Sequence, residues 1–318
     1  MTNWVESSLK FPTASVDGKR LVFSRAAAQT DVYVVDLEAG LMRLKTRPRR
    51  LTLDERNDVP TAWTPDAKAI LFTSDRSGSY HIYKHSLDQS STELLAATPQ
   101  VDWLPRVSPD GKWVIFASFA KLEDLFTSAP AELWRVPVSG GPPKRVLTAR
   151  GWFDHRCARS PASVCVVGEM TEDKKQLVFT AFDPIKGRGR ELTRITTDPL
   201  FSYNWDLSPD GSQIAVLFHD VKNHIRLLPL GGGAPRDIVV KEGYSLNQGP
   251  EWSPDGKGFY TASRSPMGWT LLYVDLQGQA TALWEQKEST FAVPSPDGRH
   301  LAILGNTVDS NVWMLENF

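Results

Sequence analysis

The sequence predicts an all-β fold, a seven-bladed β-propeller of four-stranded antiparallel blades. Three observations predict it: a turn motif repeated at a period in the forties, four readable strands within each period, and chain ends that complement one another. The motif is plain at Ser15-Val16-Asp17-Gly18, Thr64-Pro65-Asp66-Ala67, Ser108-Pro109-Asp110-Gly111, Ser208-Pro209-Asp210-Gly211, Ser253-Pro254-Asp255-Gly256 and Ser295-Pro296-Asp297-Gly298. Successive aspartates stand 49, 44, 45 and 42 residues apart, except for one interval of 100 residues between Asp110 and Asp210. Two periods fit that gap, and at its middle Arg159-Ser160-Pro161-Ala162-Ser163 is a worn copy of the same turn. The blades are therefore marked near Asp17, Asp66, Asp110, Ser160, Asp210, Asp255 and Asp297.

The second repeat shows the elements in order: Val59 to Thr64, the turn, Ala69 to Thr73, Tyr80 to Lys84, and Glu93 to Ala96. Proline presets φ at the first corner of the turn, aspartate hydrogen-bonds the backbone beyond it, and glycine takes a positive φ without steric cost. The second strands, such as Val114-Ile115-Phe116-Ala117 and Ile214-Ala215-Val216-Leu217, are apolar throughout, as strands buried on both faces must be. Trp63, Trp205 and Trp252 end first strands and are expected to fill the wedges between blades, with Trp134 and Trp313 in third strands. The last repeat supplies Leu301 to Leu304 and Asn311 to Leu315 but no fourth strand. Trp4 to Ser8 is expected to complete that blade from the N-terminus and so remove exposed edges.

Residues 1–318 read as one domain, because repeat folds close a single large unit from small ones. With 36 Lys and Arg against 37 Asp and Glu, a net charge of -1 and no block of like charge beyond Arg47-Pro48-Arg49-Arg50, a nucleic-acid surface is not indicated. No apolar run reaches the roughly 18 residues that span a bilayer, so membrane insertion is not expected. A closed ring is compatible with a monomer.

The motifs of known chemistries are missing or incomplete. No G-x-S-x-G elbow occurs, and the glycine-rich Gly231-Gly232-Gly233 and Ser139-Gly140-Gly141-Pro142 lack the Lys-Ser/Thr and helix start of a phosphate loop. His81 and His85 share a strand face without an acidic ligand between them, and His219 and His224 flank a connection. Aspartates repeated around a ring serve local turns and cannot act as a glycosidase pair, which needs two carboxylates about 5–10 Å apart. No catalytic residue, metal site or cofactor is expected. The two cysteines, Cys157 and Cys165, would face each other across a hairpin, either as a disulfide or as buried thiols.

The segments leading into each innermost strand are the least repetitive part of the chain and converge on one mouth of the channel. They nominate Asn57, Asp58, Asp102, Trp103, Asp154, His155, Arg156, Tyr203, Asn204, Asn247 and Gln248 as a ligand-binding rim. The polar lining of a water-filled channel is the alternative reading.

The Phe-Ser/Thr/Ala strand after an S-P-D-G turn, followed by an aromatic strand ending in Asp-Leu, resembles the TolB-like (WD-repeat-like) propeller family over essentially the whole chain. Pro48 to Asp54, Lys186 to Leu192 and Asn311 to Phe318 further resemble C-terminal propellers of acidobacterial serine/threonine kinases and winged-helix regulators. That resemblance implies a non-catalytic interaction or sensory propeller of a bacterial signalling protein, binding a protein, peptide or small ligand. Such a domain is periplasmic if it belongs beyond a membrane span, which would favour the Cys157–Cys165 bridge, and cytoplasmic if the chain is complete. A propeller polysaccharide lyase or glycosidase and a rigid spacer are the competing expectations.

Overall fold

The computed structural model describes residues 8–38, 43–127, 129–149, 153–196, 203–219, 223–241 and 243–316. Within them the chain is an all-β propeller of antiparallel blades, with one short 3-10 turn at Leu122–Phe126 and no helix long and apolar enough to cross a membrane.

The turns form as their chemistry requires. In the third repeat the Ser108 hydroxyl donates to Asp110 Oδ1 at 2.5 Å, the Lys112 amide donates to the same oxygen at 3.1 Å, and the Trp113 amide donates to Ser108 Oγ at 3.0 Å. Gly111 sits at φ +70, and a Cβ there would lie 3.0 Å from Pro65 Cγ of the preceding blade, so glycine serves both the turn and the blade contact. In the fourth repeat the Ala158 amide donates to the Val164 carbonyl, as the Ser108 amide does to Trp113. The worn copy thus carries one additional residue, and Arg159 takes the place that Pro109 holds.

The second repeat has the strands Asp58–Trp63, Ala69–Ser74, His81–Ser86 and Thr92–Ala96. The third to sixth repeats each add a four-stranded sheet of the same order. In these five repeats the centre of each second strand is buried on both faces, as in Ala69–Ser74. Trp63, Trp205 and Trp252 are at most 4% exposed and lie in apolar clusters that span neighbouring sheets.

The first and seventh repeats meet in one sheet, and two details of the expected closure are corrected there. The strand His300–Glu316 runs unbroken where separate strands were expected, because it pairs along its whole length with Arg20–Asp36, from Arg20 opposite Glu316 to Asp36 opposite His300. The closing partner is accordingly Arg20–Asp36. Trp4 to Ser7 lie outside the described residues, and Ser8–Ala14 pairs with the outer half of Arg20–Asp36, not with the last repeat. The sheet order toward the channel is Arg49–Arg50, Arg20–Asp36, His300–Glu316, Ala292–Pro294. Gly305 leaves room for the Tyr33 ring of the paired strand: any Cβ there would collide with it.

Seven turn-marked repeats are thus laid out as six hydrogen-bonded sheets, and six apolar clusters among the described residues join each sheet to the next around the ring. The innermost strands are Asp58–Trp63, Val101–Val107, Phe153–Cys157, Tyr203–Leu207, Leu246–Trp252 and Ala292–Pro294, each touching the next and the last touching the first. They run in one direction along the channel. Their leading ends gather at one mouth and their turns at the other.

Candidate functional site

The six innermost strands end in turns that enclose a cavity of about 920 Å³. Pro65, Pro109, Pro161, Pro209, Pro254 and Pro296 line it, one from each turn. The turn of the first repeat, whose Val16 replaces proline and is fully exposed, contributes nothing to this rim. A residue that presets a turn corner thereby becomes a collar of pyrrolidine rings.

Below the collar the inner strands present charge. At the position just before the residue that ends each inner strand, the repeats carry Ala62, Arg106, Arg156, Asp206, Glu251 and Val293, and all six line the cavity. Arg156 is the hub: it meets Asp154 at 2.5 Å, Asp206 at 3.1 Å and Glu251 at 3.5 Å. Arg106 reaches Glu251 at 3.6 Å from the other side and donates to the Thr61 carbonyl. Asp206 also accepts from the backbone amides of Leu207 at 2.9 Å and Trp252 at 2.7 Å, which ties two blades together. Higher up, Arg159 extends to the Pro296 carbonyl at 3.4 Å, from the fourth repeat to the seventh.

Burial dominates the electrostatics of this cluster. It pushes Glu251 up to about 7, helped by the nearby Asp206, and raises Asp206 against the pull of Arg156. Burial also opposes the charge of Arg156, but Asp154, Glu251 and Asp206 outweigh it and hold that guanidinium above its ordinary range. Arg106 is lowered by burial and by the proximity of Arg156. Charges this deep remain because they are paired and hydrogen-bonded.

The residues nominated from the leading segments fall mostly between blades. Asp58 is fully buried and accepts from Arg76 with both oxygens at 3.0 Å, while Asn57 donates to Asp75. Asp102, also fully buried, receives the Thr98 amide and hydroxyl and meets His81 Nδ1 at 2.8 Å. Trp103 packs edge-on against Tyr80, and Tyr203 lies in the core with Trp205. His155 is fully buried with Nε2 on the Ile115 carbonyl, and burial holds it down to about 4. Asn204, Asn247 and Gln248 are half-buried, and the Gln248 carbonyl accepts from Thr261. Arg156 alone among them lines the cavity, with Asp154 attached to it.

Cys157, which also lines the cavity, is opposite Cys165 and bonded to it through sulfur. Among the described residues no three His, Cys, Asp or Glu side chains are grouped to hold a metal ion.

Arg106, Asp206, Glu251 and Arg159 were absent from the sequence-based rim. Their signal was available: once the repeats are aligned on their turns, one column reads Ala, Arg, Arg, Asp, Glu, Val. A charged residue in four of six copies of an otherwise buried strand position marks the channel wall.

A family model described as TolB beta propeller domain matches residues 5–197. A protein of Agrobacterium fabrum described only as uncharacterized is 36% identical over 107 residues, a match spanning 33% of this chain and 34% of that protein. Among solved structures, a protein of Agrobacterium tumefaciens provisionally assigned as TolB superposes with a TM-score of 0.66 at 16% identity, over 88% of this chain and 99% of that one. TolB from Acinetobacter baumannii gives 0.55 at 19% identity, over 87% and 64%. The two superpositions speak to the fold, and the family model, which takes in more than half of the residues, speaks to kinship: this chain belongs to the TolB β-propeller family.

Proposed function

We propose that the protein is a non-catalytic binding propeller that receives a protein or peptide segment in the cavity at the turn end of its channel. The observation that carries this reading is the cavity itself: about 920 Å³, collared by proline rings and floored by buried charge. Concave sites with a few fixed polar groups are where ligands bind. A catalytic reading draws less support, because Asp154, Asp206 and Glu251 are all committed to Arg156. The rim at the opposite mouth, from Asn57 to Gln248, is assigned to holding blades together, with Asp154 and Arg156 shared by the two roles.

A photo-crosslinking residue at Gln213, which lines the cavity, should capture a binding partner from cells of the source organism. The same residue at exposed Glu93, on an outer strand, should not. Equal capture at both positions would overturn the assignment of the cavity. The sensory role within a signalling protein rests on the likeness of the Asn311 to Phe318 ending to kinase-linked and regulator-linked propellers. The reading frame upstream of the gene tests it, and a kinase or DNA-binding domain there is the expected result.

A further inference from the structure

The cavity lining is unbalanced in its hydrogen bonding. Three of its side-chain polar atoms are buried without a partner: Arg106 Nε, Trp252 Nε1 and Thr61 Oγ1. The first two can only donate, and the third can do so. Their residues are at most 9% exposed, so each unfilled donor carries the cost of a desolvated polar group.

Arg159 adds a fourth source of donors. It stands where five other repeats place proline; its backbone amide donates to the Pro209 carbonyl at 2.8 Å, while its guanidinium donates to the Pro296 carbonyl at 3.4 Å and forms no ion pair among the described residues. The amide bond to Pro209, which proline could not make, accounts for a non-proline residue here but not for a guanidinium that reaches over the cavity. The carboxylates nearby do not supply what is missing. Asp154 and Asp206 are held by Arg156 and backbone amides, and Glu251 meets its two arginines at 3.5 and 3.6 Å. At the rim, Asp210 and Asp255 each have Oδ1 engaged by their own turn.

From this surplus of donors we infer that the cavity binds a carboxylate carried by a peptide, with Arg159 and Arg106 as the groups that recognise it. The inference rests on the binding reading above and names the chemistry of its ligand. Arginine is suited to the task because its planar fork matches both oxygens of a carboxylate. The carboxylate comes either from a chain terminus or from an acidic side chain.

Four probes separate these sources: acetylated tetra-alanine as the free acid and as the amide, and capped tetrapeptides with one internal glutamate or one internal glutamine. Binding is read by calorimetric titration, and its location by chemical-shift changes at Trp63 and Trp252. The free acid, the glutamate peptide or both should bind at least tenfold more tightly than the uncharged counterpart. Arg159→Gln should abolish that preference with an unchanged melting temperature, and Arg159→Lys should retain part of it. Binding at the cavity with no preference for the charged member of either pair, or a preference that survives Arg159→Gln, would overturn the inference and leave the binding reading standing. If none of the four probes bound, both would fall.

Discussion

At the scale of single residues, Arg156 decides the interior of the channel. It neutralises Asp154, Asp206 and Glu251 while itself only 10% exposed, so its removal leaves buried carboxylates without a counter-charge. Arg156→Gln is expected to cost about 3–5 kcal/mol, as broken buried pairs do, measured by urea denaturation. Two neighbours respond to pH in opposite senses. His155, held down to about 4 by burial, stabilises fully above its ordinary 6.5, and that contribution is lost as pH falls from 6.5 toward 4. Glu251, pushed up to about 7, contributes its stabilisation below its ordinary 4.5, and that is lost as pH rises from 4.5 toward 7. The two slopes oppose each other in the native protein. Glu251→Gln removes one of them, so the stability of the variant should rise steadily from pH 4 to 6.5. A flat profile in that variant would show that His155 is not buried uncharged.

At the scale of elements, the turn is the unit that was most legible. Its hydrogen bonds are local, so serine, proline, aspartate and glycine at fixed offsets announce it without knowledge of the rest of the chain. The same local chemistry serves two purposes, however. Asp110 closes a turn packed into the ring, whereas Asp17 closes one at the exposed outer end of Arg20–Asp36, with matching bonds from Ser15 and Lys19. Asp110→Ala should lower global stability by about 1–2 kcal/mol, on the order of one or two lost hydrogen bonds, and Asp17→Ala should leave the denaturation midpoint unchanged. The channel-facing column was harder to see. Its signal is a departure from the repeat, as at Arg106, Asp206 and Glu251, and reading aimed at what recurs passes over such departures.

At the scale of the molecule, closure is the property the ends create together. Removing residues 1–14 takes away Ser8–Ala14, which pairs only with the outer half of Arg20–Asp36, and should shift the melting temperature by no more than about 4 °C. Truncation through Leu37 removes a strand hydrogen-bonded on both sides, to His300–Glu316 and to Arg49–Arg50, and takes away Val32 and Val34, which pack with Trp63 of the next sheet. That chain should show no cooperative transition in calorimetry. The amino-acid sequence was sufficient for the propeller, its repeats, the strand order within the second to sixth repeats and the tryptophans Trp63, Trp205 and Trp252 of the wedges, because each depends on contacts within a period or between adjacent periods. It did not reveal that the first and seventh repeats share a sheet, nor that the prolines of six turns and the charges of four strands converge on one cavity. Those facts depend on residues more than a hundred positions apart meeting around a closed ring, as Arg159 meets Pro296, and neither hydrophobic patterning nor turn chemistry carries information about which distant partner completes a contact.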